Sequence, residues 1–273
     1  GHAFPTDGLL LGPILEEFKN RKDELTNSLF ELYIASLKKI DKPIPANIPK
    51  IKITAQGGVG NSQEHNFLID YYKLDSVGWG SPFLLVNEVV NIDNETLNLL
   101  INAEESDLYL SNTSPLGVPF NTLKKNTKDI EKNKLISEGT PGSLCPKQYG
   151  AINKEGLCTA SRKYQKIKIE ELEAENLDAD KFKIAYDKIV EKSCICVGLG
   201  TSALIVNNIE MKIEGDAVSV CPGPNIAFFD KKSTLKDMIA HIYGEKNMLN
   251  PSDFIKEYIE NSESDSTSQN GKK

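Results

Sequence analysis

Two short apolar runs in this chain each end in closely spaced glycines and each hand the chain to a helical pattern, one strand-helix unit apart. The first lies in "ITAQGGVGNSQEHNFLIDYY" (53–72) and the second in "DSVGWGSPF" (75–83). Strands alternating with helices in units this short call for parallel pairing through right-handed crossovers, hence an α/β fold. A strand that ends in Gly57 and Gly58 just before a helix start presents bare main-chain N–H groups beside a positive dipole end, a seat for phosphate. Gly78 and Gly80 repeat the arrangement, with Ser81 adding a hydroxyl. Either these corners converge on one anion, as after the last two strands of a (β/α)8 barrel, or they are tight turns and nothing more.

The flanking patterns are consistent with such units. From Asp7 to Lys39 the residues Leu15, Phe18, Leu25, Leu29, Tyr33 and Leu37 recur at helical spacing, which predicts one long helix with a buried stripe. Three prolines in "DKPIPANIP" (41–49) end it. Ser62 is expected to cap a helix reaching Tyr72, "FLLVNEV" (83–89) to start another, and "NIDNETLNLLINAEE" (91–105) to form a capped helix. "SPLGVPFNTLKKNT" (114–127) reads as an irregular connection. Lys/Glu-rich helices are expected at 168–176 and 178–192, and the polar tail as disordered. Three regions follow: 1–125, 126–260 and 261–273.

With a formal charge of −7 over 273 residues, and no Lys/Arg-rich face, the chain does not suit a nucleic-acid surface. No apolar run is long enough to span a bilayer. Five cysteines without a secretory signal point to reduced thiols and a cytoplasmic location. A small-molecule substrate fits better than nucleic acid or membrane.

The stretch "IKITAQGGVGNSQEHNFLIDYYKLDSVGWGSPFLLVNE" (51–88) resembles the closing part of the flavin mononucleotide (FMN) barrels of the nitronate monooxygenase (2-nitropropane dioxygenase) family, which includes flavin-dependent enoyl-thioester reductases. That family carries a strand, an Ala-x-Gly-Gly-Ile/Val turn, a helix, and a strand ending Gly-Val-x-x-Gly-Thr-x-Phe-Leu. Ala55, Gly57, Gly58 and Val59, then Val77, Gly80, Ser81, Phe83 and Leu84, match it, with Ser for Thr. Gly78 departs from it, standing where the family usually has a larger residue, often Gln. The opening "GHA" is similar to the family's Gly-Gly-His turn, which implies His2 as general base. "DLYLSNTSPLGVPFNTLKKN" (107–126) resembles the post-barrel segment. The resemblance covers residues 1–125. It implies the C-terminal portion of an FMN-binding TIM barrel with the remainder upstream, Gly57, Gly58, Gly78, Gly80 and Ser81 at the cofactor, and a nitronate or enoyl thioester as substrate. A neutral imidazole suits removal of a proton that a nitro or thioester group has acidified.

Outside the resemblance, Cys145, Cys158, Cys194 and Cys221 sit in Gly- and Pro-rich loops of an otherwise mostly helical region. Convergent thiolates would hold zinc or an iron-sulfur cluster; otherwise these are buried small hydrophobes. Cys196 is the spare. With a metal there and the glycines purely architectural, the chain would be a non-catalytic metal-binding or electron-transfer module. His65 reads as a solvated helix residue, His241 as a surface partner of Asp237 one turn away, and Ser161-Arg162-Lys163 as a solvated basic spot.

Overall fold

The computed structural model describes residues 11–144, 151–211 and 215–250. The expected tail at 261–273 lies outside them, as do His2 and Cys145. The N-terminal periodicity forms two helices, α1 (Leu11–Asn20) and α2 (Lys22–Lys39), broken at Arg21. Leu15 of α1 is buried with Ala55 and Leu74 in a small core. α2 buries none of its residues, and Leu29 is 57% and Tyr33 48% exposed. The stripe read from the sequence is therefore real as a periodicity but uncovered, because the small core reaches only α1.

Strand β1 (Thr54–Gln56) pairs in parallel with β2 (Ser76–Gly78), Thr54 opposite Ser76 and Gln56 opposite Gly78. Helix α3 (Ser62–Asp70) makes the crossover. Its cap is Asn61 rather than Ser62: the Asn61 side chain accepts from the Glu64 N–H at 2.8 Å, and the Glu64 carboxylate accepts from the Gly60 N–H at 2.7 Å. Two orphan donors are thus satisfied reciprocally.

The apolar run after β2 makes only a 3₁₀ turn, Ser81–Leu85, after which Val86 is extended. Pro82, Leu85 and Val86 are all buried, so the segment is enclosed on several sides and does not present one helical stripe. Helix α4 (Asn94–Ile101) forms as expected, its Thr96 N–H donating to the Asp93 carboxylate at 2.9 Å. Where an irregular connection was expected, β3 (Leu108–Ser111) and β4 (Phe120–Leu123) form an antiparallel hairpin with Leu108 opposite Leu123. Helices α5 (Thr127–Ser137), α6 (Arg162–Ala174), α7 (Ala179–Val190), α8 (Ile195–Val206) and α9 (Leu235–Ile242) follow. Ser161 caps α6 by accepting from the Tyr164 N–H, so Arg162 and Lys163 open a helix and are not a free loop.

The chain is therefore a mixed helix and strand fold with a parallel pair and a separate hairpin among the described residues. Its main core draws on both sides of the boundary expected at residue 125: Leu85, Val86, Leu97, Leu100 and Leu123 pack with Val220, Ile226, Phe229, Met238 and Met248. Asp93 and Ser202 tie the same two regions through a buried pair of hydrogen bonds. Among the described residues no single helix is long and apolar enough to cross a membrane.

Candidate functional site

Because Gln56 stands opposite Gly78, the residues that follow β1 and β2 leave the sheet side by side. Gly57 (φ +106°) and Gly58 (φ +73°) occupy backbone conformations that a side chain disfavours. A β-carbon built at Gly57, Gly58 or Gly80 would meet nothing within 4 Å, so the main chain at both corners borders open space. Gly78 does not. A β-carbon there would lie 2.8 Å from the Gln56 β-carbon, so the cross-strand partner already fills the place of a side chain at 78.

Ser81 is also committed. Its hydroxyl accepts from the Gly223 N–H at 2.5 Å. Asn225, on the same loop, donates from Nδ2 to the Val59 carbonyl at 2.9 Å, while its Oδ1 is buried without a hydrogen-bond partner. The C-terminal region thus clasps both corners, Ser81 through Gly223 and Val59 through Asn225. Sequence reasoning missed this clasp, since 142 and 166 residues separate the partners.

Two histidines assigned to the surface are part of the same neighbourhood. His241 is 2% exposed, its Nε2 2.8 Å from the Gly60 carbonyl oxygen, and its Nδ1 accepts from the Met248 N–H at 3.3 Å. Asp237 pairs with Lys246 instead, at 2.8 Å. Trp79, between the two glycines of the second corner, donates from Nε1 to His65 Nδ1 at 3.0 Å and meets the His241 ring edge-on at 5.7 Å. His65 is therefore half-buried and bonded, not solvated. The His241 Nδ1 also lies 3.2 Å from the Lys246 carbonyl oxygen, so both ring nitrogens are held by main-chain groups.

The cysteines are distributed otherwise than the sequence suggested. Among the described residues no three His, Cys, Asp or Glu side chains gather into a metal-holding group, so Cys158, Cys194 and Cys221 are not brought together as ligands. Cys194 instead meets Cys196, sulfur to sulfur at 3.7 Å. The Cys194 thiol holds Cys196 down to about 6, helped by the Val197 and Cys196 N–H groups and the Lys128 charge, against the opposing effect of burial. Burial pushes Cys221 up to about 11.

No protein-family model matches the chain, and no curated protein is similar to it. Among solved structures it is similar to the enoyl reductase domain of MlnA from the macrolactin biosynthesis cluster from Bacillus amyloliquefaciens, at 17% identity and a TM-score of 0.39, over 81% of this chain and 47% of that one. It is also similar to FabK from Thermotoga maritima, at 16% identity and a TM-score of 0.34, over 79% of this chain and 48% of that one. The chain spans about half the length of these structures. Likeness at this level assigns neither fold nor activity.

Proposed function

We propose that this chain supplies the phosphate end of an FMN site in an oxidoreductase of the nitronate monooxygenase kind, as the C-terminal part of a TIM barrel. The observation that supports this most directly is the register of β1 and β2, which sets the open main chain of Gly57, Gly58 and Gly80 side by side. These three glycines fit a phosphate cradle, since nothing occupies the positions their side chains would take. Gly58 and Gly57 would hold the anion through main-chain N–H groups at one corner and Gly80 at the other. Ser81 would steady the second corner by accepting from Gly223, with its own O–H left to donate to the phosphate. Glu64 already takes the Gly60 N–H, so the anion would seat before Gly60 and not on it.

When bound, the flavin supplies acceptance of an electron pair, and the protein supplies binding, orientation and a proton acceptor. His2 is the proposed acceptor, carried by the resemblance of "GHA" alone. An enoyl-thioester reductase shares the same cradle and stays the second reading, because the resemblance at residues 51–88 takes in both. The deciding experiment is flavin analysis of the purified full-length protein. FMN released on denaturation supports the cradle; loss of FMN in Gly58→Val and Gly80→Val, with folding retained, supports its location. Oxygen uptake with alkyl nitronates would then separate the first reading from NAD(P)H oxidation with an enoyl thioester. A protein that carries no flavin and retains stoichiometric metal would overturn both in favour of a metal-binding module.

A further inference from the structure

The first turn of α3 reaches both glycine corners at once. Glu64 accepts from the Gly60 N–H at 2.7 Å, just past the first corner, and its neighbour His65 accepts through Nδ1 from the Trp79 indole N–H at 3.0 Å. Trp79 is the only tryptophan in the chain and lies between Gly78 and Gly80, so its ring is the handle by which α3 holds the second corner. The His65 and Trp79 rings stack at 30° with centroids 6.3 Å apart, and the His241 ring meets Trp79 edge-on. An indole N–H can only donate. The bond therefore exists only while His65 Nδ1 carries no proton, because an imidazolium has an N–H at both ring nitrogens and would set one donor against another.

We propose that His65 is a proton-operated latch on the second glycine corner. Neutral, it holds Trp79, and with it Gly78 to Gly80, against α3; protonated, it lets Trp79 go and the corner loosens. Both side chains are half-buried, so protons from solvent reach the pair. Imidazole is the side chain that ordinarily changes charge between about pH 5 and about pH 8. The other titratable groups around His65 are engaged elsewhere. On α3 itself, Glu64 holds the Gly60 N–H. Of the elements packed against α3, β2 carries no charged residue, and Asp75 before it accepts from the Ile53 N–H at the opposite end of the strand from Trp79. Helix α9 and the turn after it bring Lys236, Asp237, His241, Tyr243, Glu245 and Lys246; Asp237 pairs with Lys246, and His241 is held at both ring nitrogens by main-chain groups. The indole N–H goes to His65, so the protonation of His65 decides this bond. The latch stands on this geometry, whatever ligand the corners take.

The test is acrylamide quenching of Trp79 fluorescence in the full chain from about pH 8 to about pH 5, with the fold followed by circular dichroism. The expected result is a quenching constant that rises about twofold or more on acidification while the far-ultraviolet signal stays constant. His65→Gln keeps an acceptor that does not titrate, so its quenching should stay at the parent's neutral level throughout. His65→Phe has no acceptor and should be quenched strongly at every pH. A parent that shows no rise would overturn the proposal. So would a His65→Gln variant that rises as the parent does, since the titrating group would then be His241 or a carboxylate. Should the variants fail to fold, the parent decides alone: its single indole N–H resonance should move upfield on acidification together with the His65 ring signals, and an indole signal that stays in place would overturn the latch.

Discussion

The Nε2 nitrogen of His241 lies 2.8 Å from the carbonyl oxygen of Gly60, residues 181 apart in sequence. Through this bond α9 holds the loop that leaves β1, with Phe229 and Trp79 set edge-on to the imidazole at 5.6 Å and 5.7 Å. The glycine corner is fixed from outside its own strand-helix unit.

His241→Phe keeps an aromatic ring but leaves the Gly60 carbonyl and the Met248 N–H unmet in a buried place. We expect a loss of about 1–3 kcal/mol, read as a lower denaturant midpoint at unchanged m-value. A variant as stable as the parent would show that the clasp contributes nothing.

The glycines of the two corners should separate by backbone strain. Gly58→Ala, at φ +73°, should cost about 1–2 kcal/mol even though its β-carbon meets nothing. Gly80→Ala sits at φ −126° in equally open space and should stay within about 0.5 kcal/mol of the parent. Thermal unfolding of the two variants side by side checks this. Equal losses would mean that strain does not set the glycine requirement at Gly58.

Gly78→Ala should be destabilising for a steric reason, since its β-carbon would press on that of Gln56 at 2.8 Å. Adding Gln56→Gly to Gly78→Ala should recover most of the loss, and a double-mutant cycle measures the coupling. Independent, additive effects would contradict the cross-strand explanation. It is notable that this chain carries Gln at 56 and Gly at 78, while the resembled family often carries Gln at the latter position.

Asp93 links pH to stability. Burial pushes its carboxyl up, but the Ser202 hydroxyl at 2.6 Å and the Thr96 N–H outweigh burial and hold it below the ordinary range. A folded-state value below the unfolded one gives stability that is complete above the ordinary Asp value of about 3.9 and lost as pH falls through the folded value. Asp93→Asn should be less stable at neutral pH and should show a shallower loss on acidification. Parallel pH–stability curves for parent and variant would refute the linkage.

The thiols give a further pH profile. Iodoacetamide should label Cys196 with a half-maximal rate near about 6, and Cys221 only as pH approaches about 11. At neutral pH Cys196 should carry far more thiolate than Cys221. Mass mapping of briefly labelled protein should therefore find Cys196 modified and Cys221 untouched, and similar labelling of both would contradict the environments described.

Features that depend on neighbours in sequence were legible before the structure. The strand-helix-strand unit at 54–78, the capped helix α4 and the helices α6 and α7 follow from periodicity, glycine placement and side-chain caps within a few residues. What failed depends on partners far along the chain. His241 looked like a surface residue because Asp237 lies one turn away, whereas its true partner is a carbonyl in another element. The hairpin of β3 and β4 was hidden by Gly117 and Pro119, which read as an irregular loop when they are the turn between strands. For the candidate site, the glycine turns were visible, but the commitment of Ser81 to Gly223 and of Gly78 to Gln56 was not. From sequence Cys196 reads as the spare thiol, and its 3.7 Å approach to Cys194 shows only in the fold.

The main core has a practical consequence for anyone dividing this polypeptide. Leu97 and Leu100 meet Ile226 and Met238 across more than a hundred intervening residues, like two halves of a zip. A cut at residue 125, where the family resemblance runs out, would leave each fragment with a greasy face and no cover. The pieces should precipitate when expressed separately and regain solubility when co-expressed.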